Sequence, residues 1–496
     1  MLGKKLANKF MLIHFYLDPM VRQFLANLSI LVLLNLIIKP LYILGIEVAV
    51  QNAVGASTFG LFFALLNSAY LLQIFNDFGL QVYNNRLVAI DPAQIAQSFR
   101  RILRLKAFLS FLFLIFLFLF IWLLGYQEYL ALVAPIGVNL ILVSLILFLR
   151  STVSGLGHYK HDSILSVMDK ALMIGICGYM LFVADDAFTI YHFVYAQMAS
   201  LALTSTAALG ILIYKKAFVS KLRRPGDLRP LIRKAAPFAI AVFLMSIYTR
   251  VDAVMIEQIA EDGKYQSGLY AAGYRLLDAA NMFAYLFAVL LLPMFTRLIP
   301  NREETLALIS QAFRLMWVLT IITVAICFVY RSPIMSFLYR ESTQAWADTF
   351  GLLIFSFIAI GMMYVFGTYM TARGELKSLN ILYGSCVVLN VVLNFILIPH
   401  YGAYGAAMAT LATQFVVTGT LISMTLWRLK PLRDRTLIMQ AIVFAVGAIM
   451  LVAALDSAIY GLQWFIEISF AVPGVLALAF ITRIIKVSDL KGFVGR

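Results

Sequence analysis

Repeated apolar runs of about 20 residues constrain this chain more than any other feature. A helix of that length crosses the hydrocarbon core of a bilayer. Within hydrocarbon, only helices and closed barrels satisfy their own backbone polar groups. Fourteen runs can be read in the 496 residues. The first seven lie at roughly 26–48, 58–80, 105–125, 129–149, 163–184, 189–213 and 235–256. The next seven lie at roughly 267–295, 305–330, 345–370, 378–398, 403–427, 437–455 and 462–482. Gly125-Tyr126-Gln127-Glu128 separates the third from the fourth, because the combined run is too long for one crossing. Composition agrees: 62% of residues are hydrophobic and 13% charged, against about half and a quarter in soluble domains. The expected fold class is all-α, a polytopic membrane protein of about 14 transmembrane helices in two six-helix lobes plus a C-terminal helix pair. Cys177, Cys327 and Cys386 each lie inside an apolar run, which indicates neither a disulfide framework nor a zinc site. The short apolar stretch from Phe10 to Tyr16 lacks a small-residue cleavage site, so no cleaved signal peptide is expected.

A net charge of +15 would suit nucleic acid, but the distribution of the charge points elsewhere. With the N-terminus placed in the cytoplasm, 31 of the 39 Lys and Arg residues fall in cytoplasmic segments. Lys264, Arg331 and Arg340 fall in outer loops, and Lys39, Lys170, Arg250, Arg275 and Arg314 fall inside spans. That asymmetry is the positive-inside rule. It predicts cytoplasmic termini, anionic membrane lipids as neighbours, and no nucleic-acid partner. The stretch 215–234 carries eight basic residues with Pro225, Gly226 and Pro230. It divides the chain into a first lobe (1–214, helices 1–6), a basic cytoplasmic linker (215–234), a second lobe (235–427, helices 7–12) and a final pair with its tail (428–496). Two short matches suggest an internal duplication. Gly55-Ala-Ser-Thr-Phe-Gly60 resembles Gly263-Lys-Tyr-Gln-Ser-Gly268, and Ser154-Gly-Leu-Gly157 resembles Thr371-Ala-Arg-Gly374. An even number of spans per half gives the halves the same orientation, with an axis along the membrane normal and a cavity between them.

An ionised group at mid-bilayer costs about 2.5–3.5 kcal/mol on insertion scales, so it should meet water, a partner or the interface. Lys39, Arg250 and Arg275 come from helices 1, 7 and 8, which are expected to meet at the lobe axis. They are the candidate cationic cavity. Asp252 and Asp278 offer the alternative that the two arginines serve in structural ion pairs, Arg275 and Asp278 being three apart on one helix face. Asn67 and Asp77 in helix 2 join Asp252 and Asp278 as candidate cavity or coupling residues. Lys170 reads as structural, Arg314 as reaching to the cytoplasmic headgroups, and Asn390 and Asn394 as interhelical hydrogen-bonding residues. The five histidines have no metal-ligand spacing, and no Walker loop is present. No metal, cofactor or ATP site is therefore expected.

Several stretches carry a family resemblance. They are Phe59-Gly60 and Asp77-Phe-Gly79-Leu80 with Asn85-Arg86, then Ala372-Arg-Gly374 and the run from Asn390 through Pro399, Gly402 and Gly405 to Ala407. On these the chain resembles the polysaccharide transporter family, the O-antigen flippases of the multidrug/oligosaccharidyl-lipid/polysaccharide exporter superfamily. The resemblance implies alternating access, a location in the bacterial inner membrane, and an undecaprenyl-pyrophosphate-linked oligosaccharide as substrate for polysaccharide or lipopolysaccharide synthesis. It further implies a cationic cavity, to which Lys39, Arg250 and Arg275 correspond by span, and other polysaccharide-assembly proteins as partners. It implies a transporter and not an enzyme. Two rivals remain: a cation-coupled drug exporter of the same superfamily, and a membrane glycan polymerase or ligase. The second would need a sizeable outer domain, whereas the longest expected outer loop, 331–344, is about fourteen residues and holds no acid/base set.

Overall fold

A computed structural model describes residues 33–80, 95–184, 187–214, 229–429, 435–458 and 463–485. Phe10–Tyr16, Asn85-Arg86 and residues 215–228 of the basic linker lie outside the described residues. Among those described the chain is helical, with no strand. Its helices are α1 (Leu33–Val54), α2 (Ala56–Leu71), α3 (Ile95–Leu123), α4 (Leu130–Gly155), α5 (Tyr159–Phe182) and α6 (Ile190–Tyr214). Then come α7 (Arg229–Ile259), α8 (Gly263–Leu298), α9 (Arg302–Val329) and α10 (Gln344–Ala372). A continuous helical stretch, Leu376–Leu429, is too long for one crossing and reverses at Gly402, where φ is 55° and ψ −131°. That backbone conformation favours glycine, and it separates α11 (376–401) from α12 (403–429). The last two helices are α13 (Arg435–Ala458) and α14 (Trp464–Ile481).

Twelve helical stretches are long and apolar enough to cross a membrane. Splitting Leu376–Leu429 and adding the 16-residue α2 brings the apolar helical segments to the expected fourteen. Two details differ from the sequence reading. The linker is shorter than expected, since α7 begins at Arg229. The bend after α9 is a further short helix, Arg331–Leu338. Within α1, Pro40 precedes a turn of π-helix, Tyr42–Glu47; proline supplies no backbone donor and loosens the ladder there.

The second sequence match is also a match of backbone. Gly157 and Gly374 both adopt left-handed φ, 82° and 76°. After α4, His158 N–H donates to Val153 O (3.1 Å), and after α10, Glu375 N–H donates to Met370 O (3.2 Å). The same six-residue helix stop is thus used twice, 217 positions apart.

α4 packs on α5 and α6, and α10 packs on α8, α9 and the α11–α12 hairpin. α2 lies against α7 and α8 and so joins helices from opposite halves of the sequence. The final pair sits on α9 through Val318, Ile321 and Ala325 against Phe444, Ala448 and Val475. Trp317 donates to Ala441 O (3.0 Å) to fix that contact. Arg314 donates to the carbonyls of Arg483 and Ile484 (3.3 and 3.2 Å), just beyond α14. Carbonyls at a helix C-terminus lack intrahelical donors, so a cation there is stabilising.

Candidate functional site

The intramembrane charges fall into three environments. The first is a seam between the halves. Arg275 on α8 is 5% exposed. Its guanidinium lies 3.2 Å from the Glu47 carboxylate and donates to Gln51 Oε1 (2.9 Å), both on α1. It also stacks on the Phe59 ring of α2, 3.8 Å from the centroid. Tyr339 lies 3.5 Å away on the second-half loop, and burial holds its phenol above the usual range, hence neutral. The sequence offered Asp278 as the helix-face neighbour of Arg275, but the acid that Arg275 contacts is Glu47, 228 positions earlier.

More cross-half bonds gather at the same end of the bundle. Asn52 donates to Leu338 O (2.7 Å), and Ala56 N–H donates to Glu341 (3.1 Å). Lys264 reaches Tyr129 Oη (2.9 Å), and Tyr126 Oη donates to Glu257. The turns at this end are those poor in Lys and Arg.

The second environment holds the free cations. Arg250 on α7 is half-buried, its guanidinium 5.0 Å from the Tyr70 ring of α2 and 5.7 Å from the Tyr274 ring of α8. Asp278 acts on it electrostatically. Lys39 on α1 is also half-buried, within the field of Arg150, Asp169 and Lys170. Among the described residues, no carboxylate lies within 4.0 Å of Lys39 or Arg250. Lys170, read as structural in the sequence, is paired with a carboxylate and stands apart from these two. It sits 3.4 Å from Asp169 and 4.5 Å from the Tyr42 ring of α1. Tyr70 of the first half is met by a cation of the second, Arg250. A lone tyrosine in an apolar run gave no signal of that kind.

The third environment is a carboxylate with no cation within 4.0 Å among the described residues. Asp252, two residues after Arg250, is 1% exposed and faces away from it. Two residues turn a helix by about 200°, which explains the separation. Tyr270 Oη donates to Asp252 (2.9 Å), Asn394 Nδ2 donates (2.6 Å), and Thr410 Oγ1 donates at short range. Asn390 Oδ1 accepts from Asn394 (3.1 Å). Helices α7, α8, α11 and α12 thus converge on one acid.

The remaining candidates are engaged locally. Asp77 holds the buried Lys106 of α3 at 2.6 Å, with Ser144 of α4 at 3.3 Å. Lys106, expected in a cytoplasmic loop, lies inside α3. Asn67 is 1% exposed and donates to Phe63 O (2.7 Å) of its own helix. Among the described residues, no cluster of three or more His, Cys, Asp or Glu is present.

A membrane-spanning helical bundle of this kind is the fold of transporters in the superfamily expected above. It is similar to a structure of the lipid II flippase MurJ in an inward closed conformation, with a TM-score of 0.69 at 14% identity over 94% of this chain and 100% of that one. It is also similar to an outward-facing multidrug-resistance MATE transporter, with a TM-score of 0.60 at 16% identity over 82% and 95%. The family model described as "Polysaccharide biosynthesis protein" matches residues 24–299. The chain belongs to that family, among the polysaccharide transporters and flippases of this superfamily. In sequence it is similar to an uncharacterized membrane protein, MJ1375, of Methanocaldococcus jannaschii, with 23% identity over 73% of this chain and 88% of the relative. Another relative is the uncharacterized membrane protein YabM of Bacillus subtilis, with 26% identity over 38% of this chain and 37% of that protein.

Proposed function

We propose that this chain flips an undecaprenyl-pyrophosphate-linked oligosaccharide across a bacterial inner membrane, for polysaccharide or lipopolysaccharide (O-antigen) synthesis. The observation that carries this reading is the pair of half-buried cations, Lys39 and Arg250, with no carboxylate within 4.0 Å among the described residues. Family membership and a fold shared with a lipid II flippase support it. A glycan cannot cross hydrocarbon unaided, because its hydroxyls would lose their water partners. The lipid tail stays in the bilayer while the head passes between lobes 1–214 and 235–427. Lys39 and Arg250 hold the pyrophosphate by charge-assisted hydrogen bonds. Arg275, engaged by Glu47 here, joins them when α1 and α8 part. The excess of Lys and Arg at one end of the bundle supports cytoplasmic termini.

Outward movement of an anion gains about 2.3 kcal/mol per charge per 100 mV of inside-negative potential. Asp252 is the proposed coupling site. One carboxylate among hydroxyl and amide groups suits a proton or a monovalent cation, and loading it alters the contact of α7 with α11 and α12. Asp77, paired with Lys106, and Asp278, near Arg250, are weaker candidates.

Loss of the protein is expected to leave lipid-linked repeat units facing the cytoplasm, read by their protection from an enzyme or lectin added outside. Lys39→Ala and Arg250→Ala should reproduce that accumulation at normal protein level. Wild-type crossing in both would remove the anion site. Asp252→Asn is expected to abolish the dependence of flipping on the proton or sodium gradient, and an unchanged gradient dependence would move coupling elsewhere.

A further inference from the structure

The α2–α8 crossing contains a reciprocal pair of contacts that the headgroup site does not require. A Cβ placed on Gly60 would collide with the backbone carbonyl of Lys264 and the backbone nitrogen of Gly268, and would lie 3.0 Å from Gly268 Cα. A Cβ placed on Gly268 would collide with the backbone carbonyl of Ala56 and lie 3.1 Å from its Cα. Gly60 and Gly268 are 208 positions apart, as are Ala56 and Lys264. Exchanging the two halves turns each contact into the other. The local two-fold axis between the halves therefore passes through this crossing.

Both helices carry a four-residue spacing that brings backbone to backbone, as in small-residue helix pairs. At the glycines themselves backbone meets backbone with no side chain between, while Arg275 on Phe59 packs beside them. Two cross-half hydrogen bonds close over the contact, Ser267 Oγ to Gly60 O (3.1 Å) and Gln51 Nε2 to Gly268 O (3.0 Å). Ser267 is fully buried in this arrangement. The crossing lies at the end poor in basic residues, beside the bonds of Asn52, Glu341 and Lys264.

We infer that Gly60 and Gly268 form the outer gate of the transport cycle, a two-fold pair of backbone contacts that seals the outer end here and must separate for release. A methyl group on either glycine obstructs closure and shifts the protein towards its outward-open form. The inference rests on the transport reading for its purpose. Its test reads only access to the seam, so its failure leaves the headgroup experiment intact.

The experiment uses the full chain in intact cells, with Cys177, Cys327 and Cys386 changed to Ala and a single reporter, Ser267→Cys. A membrane-impermeant maleimide is added outside. The reporter should be protected with both glycines present. It should label at least about tenfold faster with Gly60→Ala or Gly268→Ala, the response of a two-state closure whose closed state is penalised. Gly175→Ala is the control, since a Cβ there meets nothing within 4 Å, and should leave labelling unchanged. Detergent size-exclusion checks that each variant is folded. If neither glycine variant folds, Gln51→Ala removes a closing bond without adding volume and should also speed labelling. Protection unchanged in the folded variants, or rapid labelling with both glycines present, overturns the gate.

Discussion

Arg275 and Arg250 look alike in the sequence, each an arginine in an apolar run with an aspartate two or three residues on. The fold uses them differently. Arg275 is enclosed and committed to Glu47, Gln51 and Phe59, so its charge is already compensated within the protein. Arg250 lies half-buried between two tyrosine rings with no carboxylate in contact among the described residues. A compensated cation contributes to cohesion, whereas an uncompensated one is available to an anion. The comparison thus separates a structural seam from the proposed binding surface within one set of charges.

The largest effect should come from the seam. Removing one partner of a buried pair leaves the other charge uncompensated and costs about 3–5 kcal/mol. Arg275→Ala is expected near the low end of that range, because Glu47 keeps some solvent exposure. The measurement is the midpoint of thermal aggregation in detergent. Glu47→Gln should lower it too, and the double variant should lose less than the sum of the single losses, as expected for groups in contact. Additive losses would show that the two residues act separately, and Arg275 would then stand beside Arg250.

Arg250→Ala should do the opposite, leaving the melting midpoint near that of the parent while transport falls. Hydrogen bonds to charged groups contribute about 1.5–3 kcal/mol, so the flipping rate should drop about 10- to 100-fold. Arg250→Lys keeps the charge but loses the planar stack between Tyr70 and Tyr274, and should fall between the two. A stability loss for Arg250→Ala as large as that of Arg275→Ala would erase the distinction.

Much of the fold was legible because membrane insertion writes its constraints locally. Among the described residues each apolar run contains a helix, and the break at Gly402 separated two spans that hydropathy alone also divides. Partner choice was not local. Arg275 and Asp278 share a helix face, but Glu47 on α1 reached the guanidinium from another helix. Asp252 was readable as an intramembrane acid, but its hydroxyl and amide partners come from α8, α11 and α12. The one-turn spacing of Asn390 and Asn394 hinted at hydrogen bonding and did not name the acid. Lys106 shows the same limit: by loop counting it looked cytoplasmic, and only the packing of α3 on the short helix Gln73–Asp77 exposed its pairing with Asp77. Lys170, read as structural, is paired with Asp169, but that its ammonium also lies over Tyr42 of α1 is a contact between helices that no local pattern names.

Asn67 provides the smallest and most discriminating test of the same division. It sits on α2 between the glycine crossing and Tyr70, a position that would suit a cavity residue. Its amide instead donates back to Phe63 O four residues earlier, and the side chain is almost wholly enclosed. Polar bonds between groups in membrane helices contribute about 0.6 kcal/mol on average. Asn67→Ala should therefore shift the melting midpoint only slightly and leave flipping within about threefold of the parent, since each 1.4 kcal/mol corresponds to a factor of ten. A tenfold loss of transport at unchanged stability would mean that the amide leaves Phe63 during the cycle and meets the substrate. The binding surface would then extend along α2 towards Gly60, and the boundary between seam and site would lie nearer the gate.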